Sequence, residues 1–251
     1  MKTKIILVII LSISINVTVE AQDPTQKVLQ GLLGSKNKKA ENLPDTYTFD
    51  WEFKTNMEVV SNKKSNNTNY DMNFLLNTSN DYYGMQLDSD EMKKMGSPAM
   101  IYDFKSEALV MFMSNGGQNR AMIQKLKDPA NKKITDKDLN YTFKEVGTKT
   151  ILGYECYGMQ VENKNSIATL YFTLDAPVSF SAFFAFSSEA APKGFSDPEL
   201  FNVLKEEALL MEMEVINKKK KNEKMIMTAI SIEKKKMEYH KKDYQFMKMG
   251  I

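Results

Sequence analysis

The stretch that decides the fold is Gly147–Leu174, GTKTILGYECYGMQVENKNSIATLYFTL. It reads as two short strands, Tyr154–Val161 and Ile167–Leu174, closed by a polar turn. The strands are rich in aromatic and β-branched residues, and the turn between them is built from Asn, Lys and Ser. Cys156, the single cysteine, lies mid-strand among apolar neighbours. One cysteine forms no internal disulfide, so it reads as a buried small side chain, with a free thiol or a mixed disulfide to a partner as the alternatives.

The same period of two continues on both sides. Upstream, Tyr47, Phe49, Trp51 and Phe53 alternate with Thr48, Asp50, Glu52 and Lys54, which predicts a half-buried strand. After the polar turn Ser61–Asn67, the residues Tyr70, Met72, Phe74 and Leu76 alternate in the same way, so a long antiparallel hairpin is expected. Tyr82–Leu87, Met100–Phe104 and Leu109–Met113 follow. The last two are apolar on both faces, so something should cover the sheet there. Lys125–Asn140 is polar, contains Pro129 and reads as an exposed loop; Tyr141–Phe143 is a further strand. Downstream, Leu209–Ile216 and Met225–Ile232 predict a hairpin across Asn217–Lys224.

Helix signals occur twice. Asp23-Pro24 supplies a cap and a first-turn proline, with Gly34 as the stop. Asp197-Pro198 opens the second, with Leu200, Phe201, Leu204 and Ala208 on one face. Around ten strands with two helices predict a mainly β (α+β) fold. Its core is a single, strongly curled antiparallel sheet with helical material packed on one face.

The N-terminus reads as an address. Lys2 and Lys4 precede the apolar run Ile5–Ile15, and Val19-Glu20-Ala21 offers a cleavage site. Residues 1–21 are therefore expected to be a cleaved signal peptide, 22–42 a short helix and polar linker, and 43–251 the β domain. No cysteine follows the cut, so no lipid anchor is expected, and an exported protein, periplasmic before extracellular, is the reading. Removing Lys2, Lys4 and Glu20 from 34 basic and 32 acidic groups leaves a net charge of +1. With Arg120 the only arginine, the chain lacks the guanidinium groups that nucleic-acid recognition favours.

Few residues nominate chemistry. His240, the only histidine, stands in a lysine-rich segment (KKKMEYHKKD) and reads as a solvated surface group. Zinc sites need several His or Cys ligands, and the chain holds one of each. Gly116-Gly117 reads as an isolated turn pair and not as a phosphate-cradling loop. No two carboxylates are singled out. The expectation is a non-enzymatic protein without a cofactor. The lysine runs 218–221, 234–236 and 241–242 read as solvated faces of a turn and an outer strand that blunt a sheet edge, with contact to an anionic membrane surface as the functional alternative.

Methionine is abundant, at 18 residues, and four pairs have the form Met-x-Met: 111/113, 211/213, 225/227 and 247/249. On a strand this spacing puts both thioethers on one face, as pliable core packing or the lining of an apolar site; Cu(I) capture by thioethers is the alternative. The segment Val178–Phe186, VSFSAFFAF, adds four phenylalanines, as a buried strand or as a flap over an apolar cavity.

Thr148-Lys149-Thr150-Ile151-Leu152-Gly153-Tyr154-Glu155-Cys156, followed by Thr169-Leu170-Tyr171-Phe172-Thr173 before Asp175, resembles domain-of-unknown-function family 4412 of exported Bacteroidota proteins. That family is placed with the LolA/LolB-like carriers. The resemblance implies a half-open antiparallel β-barrel with one or two helices across its concave, apolar face, and a tendency to hold apolar ligands. The family pattern often carries Trp where Tyr171 or Phe172 stands, whereas the only Trp here is Trp51. The arginine that holds such carriers closed has no counterpart in Arg120, which follows a Gly-Gly turn. The fold is carried over, and a lipoprotein-transfer mechanism is not.

The function expected is an exported binding module whose groove holds an acyl chain, a lipid or a lipidated partner. Its lining is expected to include Trp51, Phe53, Phe74, Phe172, Phe180, Phe184, Met211 and Met213. An envelope protein-interaction domain with a solid core, and Met-based Cu(I) binding, are the alternatives.

Overall fold

Alternating apolar residues become strands because each strand then buries one face and wets the other. A computed structural model of the protein describes residues 40–62, 67–79, 81–88, 90–94, 96–125, 142–180, 207–220 and 223–247. The expected signal peptide, the expected helix from Asp23, nearly all of the 125–140 loop, Phe184 and the second expected helix up to residue 206 lie outside these residues, and Ala208, expected on that helix's apolar face, is buried without being helical.

The strands in chain order are β1 (Thr46–Val60), β2 (Thr68–Leu76), β3 (Tyr82–Asp88), β4 (Ala99–Asp103), β5 (Ala108–Asn115), β6 (Gln118–Lys125), β7 (Thr142–Ile151), β8 (Tyr154–Glu162), β9 (Ser166–Thr173), β10 (Leu209–Asn217), β11 (Lys224–His240) and β12 (Gln245–Phe246). A one-turn helix, α1 (Asp90–Lys94), follows β3. The hydrogen-bonded order is β12-β6-β5-β4-β3-β2-β1-β11-β10-β9-β8-β7. β2 to β6 pair antiparallel in succession, as do β7, β8, β9, β10 and β11, while β12 pairs parallel with β6. The end strands β12 and β7 are not neighbours, so the sheet is unclosed. The mainly β, single-sheet fold is the one expected.

Among the described residues twelve strands stand where around ten are expected. β6 was hidden because Gly116-Gly117 reads as an isolated turn. Both glycines have positive φ (59° and 76°), which is the conformation of a two-residue hairpin turn, and they fold β6 back on β5. The short β12 is the other addition. The quoted stretch holds three strands and not two: the end of β7, then β8 and β9, with the polar turn closing the second pair. β11 stands between β1 and β10 in the strand order, but its register with β10 covers only Lys224–Thr228, and the run Lys234–Lys236 lies beyond it, exposed.

The chain divides into two compact units, one holding residues within 56–69 and 128–230, the other residues within 20–55, 70–127 and 231–251. In the first unit burial alternates along β10 from Met211 to Ile216 and along β11 from Lys224 to Ile230. Glu162, Glu212 and Glu214 lie on the polar face and pair with Lys218 (2.5 Å), Lys149 (2.5 Å) and Lys224 (3.1 Å). Lys149 Nζ also lies 3.9 Å from the Tyr171 ring centroid, a cation–π contact.

The second unit buries both faces of β4, all five of whose residues are buried, as its apolar sequence predicts. One face is the cluster of Leu43, Tyr47, Phe49, Leu75, Ile101, Val110, Phe112 and Ile123, against which Tyr82, Tyr239, Tyr244 and Phe246 pack. Aromatic edges meet faces there: Tyr47–Tyr82 at 5.0 Å, Phe49–Tyr82 at 5.4 Å and Phe112–Tyr244 at 4.7 Å.

Candidate functional site

Residues directly opposite one another on antiparallel strands project to the same face, so the register turns scattered methionines into rows. In the second unit one row crosses five strands: Phe74 opposite Met85, Met85 opposite Met100, Met100 opposite Met111, and Met111 opposite Met122. Met100 is fully buried, and Phe74, Met85 and Met111 nearly so. Beside it runs a second row, Tyr83 opposite Tyr102, Tyr102 opposite Leu109, and Leu109 opposite Gln124. The Tyr83 and Tyr102 rings stack at 4.8 Å with an interplanar angle of 10°. Burial pushes both phenols well above their ordinary ionisation range, and for Tyr83 the neighbouring Tyr102 adds to it.

The first unit repeats the device. Met159 lies opposite Leu170, Leu170 opposite Met213, and Met213 opposite Met227. The next row holds Val161, Ala168, Val215 and Met225. Every side chain named in the Met159 row is buried.

Four of the residues expected to line a site fall on these faces. Phe53 stacks on Phe74, centroids 6.1 Å apart, in the second unit. Phe172 and Met213 belong to the first unit, where Phe172 is opposite Leu210. Trp51 is half-buried on β1. Phe180 is buried and forms a parallel bridge with Leu209, its N–H donating to the Ala208 carbonyl at 3.0 Å. Met211 is buried at a register shift between Leu210 and Glu212, so strand alternation does not place it with Met213. Sequence reasoning missed Met85, Met100, Met122, Met159, Tyr83 and Tyr102. Each sits on a different strand from its row neighbours, and only the register aligns them.

His240 is less free than its lysine-rich surroundings suggest. Its Nδ1 lies 3.0 Å from Thr46 Oγ1 and its Nε2 3.3 Å from Glu238 Oε2. That order of hydroxyl, imidazole and carboxylate looks like a nucleophile relay. However, Glu238 is also held 2.9 Å from Lys236, and the imidazole and carboxylate are 39% and 34% exposed, so water competes at each bond. A working relay buries its carboxylate and excludes that competition. Among the described residues no three His, Cys, Asp or Glu side chains gather as a metal site. Cys156 is buried and its thiol donates to the Tyr154 carbonyl at 3.5 Å. No helix among the described residues is long and apolar enough to cross a membrane.

A family model described as a domain of unknown function, DUF4412, matches residues 53–245. Among curated proteins nothing matches the chain. Solved structures offer distant likenesses. PNGF-II aligns over 75% of this chain and 28% of its own, with 14% identity and a TM-score of 0.36. MucB aligns over 74% of this chain and 53% of its own, with 10% identity and a TM-score of 0.37. A LolA superfamily protein from Nitrosomonas europaea aligns over 77% of this chain and 88% of its own, with 6% identity and a TM-score of 0.31. The chain thus spans about a quarter of PNGF-II and about half of MucB.

Proposed function

The chain belongs to the DUF4412 family, and from that premise we propose that it is an exported, non-enzymatic binding module that holds an acyl chain or similar apolar ligand against its methionine-lined faces. The observation that carries this reading is the row Met85–Met100–Met111–Met122, thioethers on four adjacent strands of one face. Methionine is unbranched and polarizable, so a face built from it reshapes around ligands of varied form, where Leu and Ile would fix one packing. The row Met159–Leu170–Met213–Met227 supports the same use in the first unit. Binding of this kind draws on burial of apolar area, about 25 cal/mol per Å² removed from water. Export rests on the leader-like residues 1–21.

Organic extraction of the purified full chain, followed by mass spectrometry, tests the reading. An acyl-chain compound in stoichiometric yield is the expected result. Empty extracts, from protein that also fails to take up a long-chain hydrocarbon probe, would overturn it.

A further inference from the structure

Gln124 is out of place among the groups of its face. It is 5% exposed, and its Oε1 is buried with no hydrogen-bond partner among the described residues. The register sets it opposite Leu109, in the row that continues through Tyr102 and Tyr83 and runs beside the four methionines. Its β6 neighbour on the same face, Met122, belongs to the methionine row. A row chosen for packing alone would end in Leu or Met, because a buried acceptor without a donor destabilises the fold. A carboxamide kept there despite that cost fits a site whose missing donor arrives with a ligand.

We propose that Gln124 is the polar anchor of the apolar face. Its Oε1 accepts a hydrogen bond from the single donor of a long-chain ligand, a hydroxyl or an amide N–H, while the chain lies along Met85, Met100, Met111 and Met122. This rests on the reading of the face as a binding surface and adds a ligand class to it: apolar chains carrying one donor, in preference to chains carrying none. The low dielectric around Oε1 strengthens the bond, and leaving Oε1 unpaired in the complex penalises a ligand without a donor.

The test uses the full chain, stripped of co-purifying lipid, in competition with a hydrophobic dye. Hexadecan-1-ol and N-methylhexadecanamide supply a donor; 1-methoxyhexadecane has nearly the alcohol's shape and none. The wild-type protein is expected to bind one or both donors about tenfold more tightly than the ether, and the two donor arms distinguish hydroxyl from amide. Gln124→Leu and Gln124→Met, each checked for native circular dichroism, are expected to keep ether binding and lose the preference. Equal binding of alcohol, amide and ether by the wild-type protein would overturn the anchor and leave the binding face standing, as would a preference that survives both substitutions. Failure of all three compounds to displace the dye would remove the binding face itself, and the anchor with it.

Discussion

The Tyr47 phenol donates a 2.9 Å hydrogen bond to Asp103 Oδ2, joining β1 to β4 inside the aromatic cluster of the second unit. Both residues are 1% exposed. The other carboxylate oxygen of Asp103 accepts the Ser106 backbone N–H at 2.7 Å, so both oxygens are occupied. Burial, then the Asp103 charge, holds the Tyr47 phenol far above its ordinary range, which keeps it a donor at every accessible pH. Tyr47→Phe therefore keeps the ring contacts and strands one carboxylate oxygen. Urea unfolding should show a loss of about 1–3 kcal/mol, with an unchanged denaturant slope. A change within error would mean that water replaces the phenol.

Glu52 is a second buried acid, with a side chain only 4% exposed, set between Lys235 (3.0 Å) and Lys54 (3.2 Å). Burial alone pushes its pKa up and is the largest single influence, but the two lysines together outweigh it and hold the carboxyl below its ordinary 4.5. A carboxyl whose folded pKa is depressed stabilises the fold above its unfolded value, and that contribution is lost as pH falls through the folded value. Lys235→Met is expected to cost about 1–2 kcal/mol at pH 7, less than for a fully buried pair because Lys235 is half exposed. The gap from wild type should close as pH drops from about 5 to below 4. Urea midpoints measured across that range check it, and a pH-independent gap would count against ionic coupling.

The two acids also mark how far the sequence carries. Period-two alternation located β1, β2, β8, β9 and β10, because a strand with one wet face writes its geometry into every second residue. It also predicted the covered sheet at β4 and β5, where apolar residues run without a break. It failed at β6, whose polar start Gln118-Asn119-Arg120 shows no alternation until Met122, and whose turn only positive φ angles identify. The candidate site was legible in part. Phe53, Phe74, Phe172 and Met213 were singled out from strongly apolar strands. The methionine rows were not, since Met85, Met100, Met111 and Met122 are between 11 and 15 residues apart, and only pairing register brings them side by side. Gln124 gave no signal, because a glutamine near a strand end usually faces water.

Cys156 is expected to be chemically silent in the folded protein. Burial pushes its thiol pKa up against the opposing backbone contact at Ile151, so little thiolate forms near neutrality and none of it is exposed. Ellman's reagent at pH 8 should release no more than a trace from native protein and one equivalent in concentrated urea. The labelling rate of the native protein should follow its unfolding. Fast labelling without unfolding would place the thiol at a surface open to exchange.

The β7–β8 turn makes the last prediction, one of added stability. Leu152 and Gly153 both have positive φ (51° and 85°), the pattern of a two-residue hairpin turn that favours Asn-Gly. A leucine there strains its backbone against its own Cβ, by about 1–2 kcal/mol for an L-residue in the left-handed region, and asparagine relieves part of that through local hydrogen bonding. The leucine gains little in return, being 44% exposed. Leu152→Asn should therefore stabilise the protein by about 0.5–1 kcal/mol, read as a higher urea midpoint at constant slope. If the substitution instead destabilises, Leu152 makes a contact worth more than its strain.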